Sequence, residues 1–412
     1  MPAFRFSPGF KYVLLLLAAV FSAAALGEIG LRVLGFDAPA LYEYDPDLGY
    51  HLQPGASGVY KLEGRGSYLI NSHGMRAPEV SLEKPPGTYR VVLLGDSYIE
   101  ALQVDWEQTV SHQLAVRLEK RLGRPVEVLP MGASGYGTGQ QYLGLLRDGL
   151  KFAPDLVLLM FLPGNDPIDN NRTLRRANDR PFFIMHGDSL TIDNAFRDSP
   201  LNQLRRSWMG RLIYFIRERS ALVRVVRWRL NVIQEMIAKE STPKKPVVRL
   251  TDIPLTADLR SRDPNPGPIW REAWDLSERL ALKIREATEQ AKARFGMVVL
   301  TSGALIHPQA LEAFVKKYPD LDPNYPEKRL DAFCRRNQVS CLLLAPPMLA
   351  KAQQTGVYYH GFGNNLGGGH WNVEGHAFAA ELVADWLFSQ GVIAPDDSPA
   401  PAPAPNLPSQ SQ

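Results

Sequence analysis

The apolar segment YRVVLLG, residues 89–95, constrains the fold of this chain more than any other feature. Its β-branched and apolar residues end at a glycine, a pattern that predicts a strand buried on both faces. An amphipathic helix near residues 108–122 follows, and strands and helices then alternate through VEVLP, PDLVLLMFL, MVVLTS and SCLLLAPP. This alternation predicts a three-layer α/β/α fold built on a doubly wound parallel sheet.

Four regions differ in composition. Residues 1–36 hold an apolar segment, whereas residues 37–88 are rich in Gly, Pro and Tyr and predict a small β-rich extension. Residues 89–392 carry the α/β pattern, interrupted at residues 171–262 by an insertion with a hairpin-like piece and a basic helical stretch. Residues 393–412 are a Pro/Ser-rich tail, for which disorder is the expectation because it has little to bury.

The N-terminal region predicts export. Arg5 and Lys11 precede the uncharged stretch YVLLLLAAVFSAAALG, which alone is shorter than the ~20 residues that a membrane helix needs. The apolar pattern continues past Glu28, which favours a membrane anchor, and the basic N-terminal flank places the rest of the chain outside the cytoplasm. The alternative interpretation is a cleaved signal peptide, with Ala23 and Ala25 in an A-x-A arrangement. Both interpretations export the domain that follows.

Composition narrows the function classes. The 412 residues are 45% hydrophobic, enough to bury one large core or two ordinary ones. A formal net charge of +3, without zinc-finger spacing or an aromatic-basic RNA motif, argues against a nucleic-acid partner. Cys334 and Cys341 are too few for a metal site or a disulfide-rich scaffold. They could pair with each other in an oxidising compartment, but we expect two separate buried thiols. No ligand spacing indicates a metal or an organic cofactor.

Two Gly-Asp-Ser tripeptides compete to supply a nucleophile. Ser97 follows the strand 89–95, and a turn from strand to helix exposes the hydroxyl and aims backbone N–H groups at a developing oxyanion. Ser189 lies in the string GDSL between the short runs FFIMH and LTI, where Gly-Asp-Ser is typical of a hairpin turn. We therefore predict Ser97 as the nucleophile and assign Ser189 to a turn.

Three further loops follow strands or precede the last helix. Gly135 lies in a glycine-rich loop, which is either a flexible connection or a source of an oxyanion N–H donor. Asn165, in Gly-Asn-Asp, adds a side-chain amide, and His370 is a natural base because the histidine pKa lies near neutrality. Loops at the carboxyl ends of parallel strands meet at one edge of the sheet, where we expect these residues to converge.

The order GDS, glycine loop, GND and late histidine resembles the four sequence blocks of SGNH (GDSL-type) hydrolases. The likeness covers most of residues 89–170 and 297–390. It extends to a bacterial subgroup with an N-terminal membrane helix through GEIGLR, INSHGMR and HWNVEGH. The resemblance implies the flavodoxin-like SGNH fold and a serine esterase that needs no cofactor.

The same resemblance implies a role for each motif residue. Ser97 is the nucleophile and His370 the base, while the Ser97 N–H, Gly135 and Asn165 form the oxyanion hole. His376, inside the start of the last helix, is assigned a structural role.

One position departs from the family pattern. The family places an aspartate three residues before the histidine, and here that position is Gly367. The aspartate orients the imidazole and stabilises its protonated form. We expect Asn364, Asn365 or a backbone carbonyl to orient His370 instead. A Ser–His dyad and a weakened or inactive enzyme both fit this departure.

The insertion contains a basic, aromatic segment. Between Arg205 and Arg229 there are eight arginines and one acid, Glu218, interleaved with apolar and aromatic residues. Three interpretations fit: a helix on an anionic membrane surface, a helical lid over the active site, and an ordinary amphipathic helix packed on the body.

Together these features predict an exported, membrane-anchored serine esterase acting on O-acyl groups of cell-envelope glycans. By the resemblance, it lies at the bacterial inner membrane with one crossing and a periplasmic catalytic domain. The alternatives are an O-acyltransferase on envelope polysaccharide, an esterase of lipids, and a non-catalytic glycan-binding or scaffolding module. The predicted partners are an acylated glycan or lipid ester and the membrane.

Overall fold

The structure is a computed structural model that describes residues 8–34, 41–187, 189–226, 229–230 and 261–393. The chain divides into two compact units. The helical unit comprises Met1–Tyr44 and Arg197–Val248, and the sheet unit comprises Asp45–Phe196 and Arg249–Gln412. Apart from Ile393, the predicted tail lies outside the described residues, as does part of the insertion.

The strands and helices are numbered separately in chain order. The strands are β1 (Tyr42–Asp45), β2 (Gly49–Leu52), β3 (Ser57–Tyr60), β4 (Gly66–Leu69), β5 (Tyr89–Gly95), β6 (Val126–Gly132), β7 (Leu156–Phe161), β8 (Phe182–His186), β9 (Ser189–Asp193), β10 (Arg294–Val299) and β11 (Cys341–Leu343). The α-helices with assigned bounds are α1 (Pro8–Val33), α2 (Ser97–Glu100), α3 (Val110–Leu122), α4 (Thr138–Arg147), α5 (Asp166–Asn170), α6 (Arg172–Arg175), α7 (Pro200–Arg206), α8 (Trp208–Arg219), α9 (Pro268–Gln290), α10 (Gly303–Ile306), α11 (Pro308–Lys317), α12 (Tyr325–Asn337), α13 (Ala345–Thr355) and α14 (Val373–Ser389).

The central sheet has five parallel strands in the order β11-β10-β7-β5-β6. If the five strands are numbered along the chain and read from the β6 edge, their order is 2-1-3-4-5, which is the flavodoxin-like arrangement. The order reverses between β5 and β7, and ligands of such sheets bind at the carboxyl ends of the strands beside this reversal. The predicted doubly wound parallel sheet is confirmed.

Residues of β5 alternate between two cores. Val91 and Leu93 pack with residues of α3 and α14 on one face of the sheet. Val92 and Leu94 pack with residues of α4, α9 and α12 on the other face. All seven residues of β5 are buried, as expected for a strand covered by helices on both faces. Because helices cover both faces of the sheet, the fold has the predicted three layers, α/β/α.

From Asp45 onward, the β-rich extension belongs to the sheet unit. Strands β3 and β4 form an antiparallel hairpin. The buried Arg76 guanidinium donates to the carbonyl oxygens of Ser67 at 2.8 Å and Val104 at 2.6 Å, which ties β4 to the loop that follows α2. Burial lowers the pKa of Arg76 to about 10. From Asp45 onward, the extension that was predicted as a separate region is grouped with the central sheet.

The second Gly-Asp-Ser tripeptide lies in a hairpin. Strands β8 and β9 pair antiparallel, with His186 opposite Ser189. Ser189 is exposed, and its hydroxyl donates to the carbonyl oxygen of His186 at 2.9 Å. The predicted hairpin is therefore confirmed, but the assignment of Ser189 to its turn is wrong, because Ser189 pairs with His186 as the first residue of β9.

The prediction of two separate thiols is wrong, because Cys334 and Cys341 form a disulfide. Helix α12 ends at Asn337, and Gln338 adopts a left-handed conformation that reverses the chain. The reversal brings Cys341, the first residue of β11, back to the helix with a Cα–Cα distance of 6.2 Å. That spacing is within the usual range for a disulfide.

Within the helical unit, α1 is 26 residues long, which corresponds to about 39 Å at the α-helical rise. Its segment Tyr12–Val33 has a mean hydropathy of 2.1 and is not buried. The helix continues past Glu28, which forms an ion pair with Arg32 at 2.7 Å. Among the described residues, α1 is the helix long and apolar enough to cross a membrane, and a signal sequence has the same properties.

Replacing Leu93 by alanine tests the two-faced core. Leu93 is fully buried in β5, so Leu93→Ala removes apolar contacts and leaves a cavity, at a cost of about 2–5 kcal/mol in the free energy of unfolding. Urea denaturation of the full chain in detergent, followed by tryptophan fluorescence, measures this loss. Leu82→Ala is the control, since Leu82 is 48% exposed. Equal losses in both variants would contradict the assigned core.

Candidate active site

Ser97 lies where β5 turns into α2. It is the first residue of that short helix and is 7% exposed. The preceding Asp96 is fully buried and caps the helix, since its carboxylate accepts from the Tyr98 N–H at 3.0 Å. Desolvation raises the pKa of Asp96 above its usual value. The strand, the cap and the helix together hold the Ser97 backbone in one conformation.

His370 lies opposite Ser97, just before α14. Its Nε2 is 2.8 Å from the Ser97 Oγ. The ring also packs against Tyr98, with centroids 5.1 Å apart, and the Tyr98 hydroxyl donates to the Gly369 carbonyl at 3.2 Å. The neighbouring Asn372 caps α14 by accepting from the Gly375 N–H at 2.9 Å. The predicted nucleophile and base are thus brought into hydrogen-bond contact.

Glu63 contacts the other side of the His370 ring. It lies in the loop between β3 and β4, and its Oε2 is 2.5 Å from the His370 Nδ1. Its second oxygen accepts from the His370 backbone N–H at 2.7 Å. An ionised carboxylate only accepts hydrogen bonds, so Nδ1 carries the ring proton and Nε2 presents a lone pair to Ser97. Glu63 therefore provides the carboxylate beside His370 that the glycine at position 367 cannot provide.

The orienting residues predicted from sequence are not the ones that the structure uses. Asn364 and Asn365 are exposed, and the His370 Nδ1 contacts Glu63 instead. The reason lies partly at Gly369, which has a positive φ of 71° and no side chain. A Cβ at that position would collide with the Glu63 carboxylate. Glycine therefore permits the approach of an acid from a distant part of the chain.

The two partners shift each other's pKa in opposite directions. Burial alone would raise the pKa of Glu63, but the hydrogen bond and positive charge of His370 outweigh it, and the net shift is downward. Burial alone would lower the pKa of His370, but the hydrogen bond and charge of Glu63 raise it above its ordinary value. The pair therefore stabilises an imidazolium next to a carboxylate, which is the state a base reaches after it takes a proton.

The glycine-rich loop after β6 is held from three sides. Glu100 accepts from the Ser134 N–H at 2.8 Å, and the Tyr50 hydroxyl donates to the Ser134 carbonyl at 2.7 Å. The Arg180 guanidinium donates to the Gly135 carbonyl. Gly135 has a φ of 77°, a backbone conformation that favours glycine. These contacts fix the direction of the Gly135 peptide groups.

Asn165 lies in the loop after β7, whereas Ser97 follows β5. The strand order of the sheet reverses between these two strands. Its amide donates to the buried Asp96 carboxylate at 2.8 Å, which places the side chain beside the Ser97 turn. The next residue, Asp166, accepts from the Leu162 N–H and the Thr138 hydroxyl, both at 2.7 Å. Burial raises the pKa of Asp166 well above its usual value. Asp166 thus links the loop after β7 to α4, and Asp96 orients the Asn165 amide.

Two of the other buried histidines, His376 and His360, support the surrounding structure. The His376 Nδ1 accepts from the Val110 N–H at 3.2 Å at the start of α3, and burial lowers the pKa of His376 to about 3. The His360 Nε2 contacts the Thr301 carbonyl at 3.0 Å, and burial likewise lowers its pKa to about 3. Both rings are neutral near pH 7. Across the described ranges, no cluster of three or more His, Cys, Asp or Glu side chains is placed to hold a metal ion.

Sequence reasoning missed Glu63 and Tyr98. Glu63 lies in a hairpin loop, KLEGRG, where an acidic residue is ordinary and no spacing relates it to His370. Tyr98 directly follows Ser97, and its contact with His370 depends on the fold rather than on a motif. The sequence indicated Glu63 only indirectly: with glycine at position 367 in place of the family's aspartate, another group had to orient His370.

The chain resembles several solved structures of esterases and lipases. Solved structures with a similar fold include the acetyl xylan esterase AlAXEase, which is 13% identical with a TM-score of 0.38 and covers 73% of this chain and 100% of its own. Another is the lipase/acylhydrolase from Enterococcus faecalis, which is 12% identical with a TM-score of 0.35 and covers 74% of this chain and 98% of its own. At these scores the structural likeness adds nothing to the assignment. No curated protein matches the sequence significantly.

The family assignment rests on the sequence itself. Residues 93–378 match the GDSL-like lipase/acylhydrolase family. This match spans more than half of the chain and contains Ser97, Gly135, Asn165 and His370, the four positions that the motif order had selected. The chain belongs to the GDSL-like lipase/acylhydrolase family and is a hydrolase of ester bonds.

Proposed function

We propose that the chain is an exported serine esterase that acts through an acyl-Ser97 intermediate and is anchored by α1. The observation that supports this most is the continuous chain of contacts from Glu63 through His370 to Ser97, at 2.5 Å and 2.8 Å. Nucleophile, base and orienting acid recur in this relation on unrelated folds of serine hydrolases.

Acylation begins at the Ser97 hydroxyl. His370 Nε2 takes its proton while Oγ bonds to the carbonyl carbon of the ester, and Glu63 stabilises the imidazolium that forms. The Ser97 and Gly135 N–H groups and the Asn165 amide stabilise the negative oxygen of the tetrahedral intermediate. The imidazolium then gives its proton to the alcohol oxygen as the ester C–O bond breaks, which leaves an acyl-Ser97 ester.

Deacylation repeats these steps with water. His370 takes a proton from a water molecule, whose oxygen bonds to the acyl carbon. The second tetrahedral intermediate collapses, the Ser97 oxygen recovers the proton from His370, and a carboxylic acid leaves. If a sugar hydroxyl takes the place of water, the same site transfers the acyl group. Hydrolase and acyltransferase therefore differ in the acceptor and share the acyl-enzyme.

Two features support export and anchoring. Helix α1 is apolar over Tyr12–Val33 and follows a basic N-terminal flank, which orients the chain with the sheet unit outside the cytoplasm. The Cys334–Cys341 disulfide fits an oxidising compartment, such as the bacterial periplasm. We place the sheet unit on the periplasmic side of the inner membrane, and α1 acts as an uncleaved anchor.

The proposed substrate is an O-acyl ester on a cell-envelope glycan. A catalytic unit tethered outside the cytoplasm meets envelope polysaccharides, and related exported SGNH proteins act on their O-acyl groups. The rival proposal of a non-catalytic glycan-binding module rested on the missing aspartate at Gly367. Glu63 supplies a carboxylate to the Nδ1 atom of the His370 imidazole, so the missing aspartate no longer argues against catalysis.

Alanine substitutions of Ser97 and His370 test the proposed nucleophile and base. We expect Ser97→Ala to lower kcat for p-nitrophenyl acetate by about a thousandfold or more, because the acyl-enzyme cannot form. His370→Ala should cause a comparable loss, since no base remains. The assay uses the full chain in detergent, together with labelling by a serine-reactive fluorophosphonate.

Ser189→Ala is the matched control for these variants, because Ser189 belongs to the other Gly-Asp-Ser tripeptide. It should keep full activity and full labelling. Activity that survives Ser97→Ala but is lost in Ser189→Ala would refute the assignment, as would an unlabelled wild-type chain without esterase activity.

Replacing Glu63 tests the orienting acid through the pH profile. Glu63 raises the pKa of His370, and only the neutral imidazole acts as a base, so activity rises as the pH passes through that pKa. In Glu63→Gln, burial is no longer opposed by a negative partner, so the pKa falls. The acid limb of kcat/KM should therefore move to lower pH, while kcat drops by up to about ten-thousandfold.

Two further variants show whether the effect is due to the carboxylate of Glu63. Glu63→Asp retains a carboxylate and should recover part of the activity. Glu83→Gln changes an exposed glutamate of the same extension and should alter neither kcat nor the profile. An acid limb that stays in place in Glu63→Gln, with kcat unchanged, would show that Glu63 does not act on His370.

A substrate comparison separates the enzymatic options. We expect acetate release from O-acetylated envelope polysaccharide, and little hydrolysis of a long-chain p-nitrophenyl ester in micelles. Each reaction is measured with the wild-type chain and with Ser97→Ala, which gives the background. Preferential hydrolysis of the long-chain ester would favour a lipid esterase. Acetyl transfer to an added oligosaccharide that exceeds acetate release would favour the acyltransferase.

A further inference from the structure

We propose that helix α8 and the helical residues 221–226 lie on the outer surface of the membrane that α1 crosses, in contact with anionic lipid headgroups. This inference rests on the proposed anchoring by α1 and adds a second, peripheral membrane contact. It concerns the helical unit alone, and each contact that supports it lies within that unit.

The first observation is that the end of α1 is joined to the junction after α8. The Glu28 carboxylate accepts from the Ser220 hydroxyl at 2.8 Å and from the N–H groups of Ala221 and Leu222, both at 3.0 Å. These donors belong to the start of a helix, whose free N–H groups need acceptors. Glu28 of α1 therefore caps the helical segment 221–226.

Two further contacts strengthen the same junction. The Arg32 guanidinium donates to the carbonyl oxygen of Arg219, the last residue of α8. The side chain of Leu222 lies over Gly27, 3.7 Å from where a Cβ would stand. Residues 27–32 of α1 thus hold the end of α8, and they follow directly on the uncharged part of α1. If that part crosses the bilayer, the end of α8 is held at the bilayer boundary.

The second observation is that α8 exposes apolar side chains along its length. Six of them are between 46% and 72% exposed: Trp208, Met209, Leu212, Ile213, Phe215 and Ile216. A soluble surface helix normally buries one such face against a core. Exposed aromatic and aliphatic side chains at the end of a membrane anchor match the composition of helices that lie in a bilayer interface.

The third observation is the charge of the same segment. Arginines are its main charged residues, and between Arg205 and Arg229 the sequence contains one acid against eight of them. Arg206, Arg211 and Arg219 are exposed. Basic residues at a membrane surface interact favourably with anionic headgroups. Apolar exposure and positive charge therefore both select an anionic bilayer as the partner.

The test places a single fluorescent probe at three positions of the full chain. Leu212→Cys marks α8, Phe21→Cys marks the anchor, and Val116→Cys is the control, because Val116 is 51% exposed in the sheet unit and Leu212 is 48% exposed. The native cysteines form a disulfide and do not take up the label under non-reducing conditions. Each variant carries an NBD fluorophore and is reconstituted in vesicles of phosphatidylcholine and phosphatidylglycerol that contain nitroxide-labelled lipid.

The expected result is a depth order. A nitroxide near the headgroup should quench the probe at position 212 more than a nitroxide near the chain end does, and position 21 should show the reverse. Position 116 should lose little fluorescence with either lipid. Vesicles of phosphatidylcholine alone should quench position 212 less and position 21 equally.

The other outcomes overturn the inference in distinguishable ways. Quenching at position 21 without quenching at 212 leaves the anchor in place and refutes the surface helix. A blue shift at 212 without lipid quenching means that protein, such as a second copy of the chain, covers α8. Equal quenching at 212 in neutral vesicles refutes the role of anionic headgroups. Absence of quenching at both positions refutes the anchor itself.

Discussion

The contact between Glu63 and His370 is the interaction on which the site depends. Both side chains are largely withdrawn from water, at 22% and 28% exposure, and burial disfavours the charged form of each. Glu63 favours the protonated form of His370, and His370 favours the ionised form of Glu63, so removing either partner destabilises the charged form of the other. The two residues are 307 positions apart. The site therefore exists only when the β3–β4 hairpin and the start of α14 are both folded.

This dependence changes the role of the N-terminal extension. The family match begins at residue 93, and Glu63 lies 30 positions before it. The extension resembles an appendage in the sequence, yet it supplies the carboxylate, and Arg76 fixes β4 to the loop after α2. The aspartate that the family places at position 367 is replaced by an acid from another element. Gly369 permits the replacement, because a side chain there would occupy the place of the carboxylate.

The fold was predictable where local pattern and burial coincide. Strand β5 was predicted with its observed bounds, because its apolar run starts after a turn and ends at a glycine that the fold requires. The end of the long helix α9 at Gln290 was harder to predict, because it depends on the positive φ of Lys292 and on the hydrogen bond from the Ala293 N–H back to the Thr288 carbonyl. Glu63 and the disulfide were missed for a related reason: both are contacts set by tertiary structure, which no local spacing encodes.

The two Gly-Asp-Ser tripeptides show why the surroundings of a motif decide its chemistry. The Ser189 hydroxyl donates to the carbonyl of His186 in its own hairpin, and a carbonyl oxygen does not take up a proton near neutral pH. The Ser97 hydroxyl faces a ring nitrogen whose pKa Glu63 raises, so its proton has an acceptor of suitable basicity. The buried strand before Ser97 and the helix after it also aim backbone N–H groups at a reacting carbonyl, which a two-stranded hairpin does not offer. Of the two serines, Ser97 is the one placed to be activated.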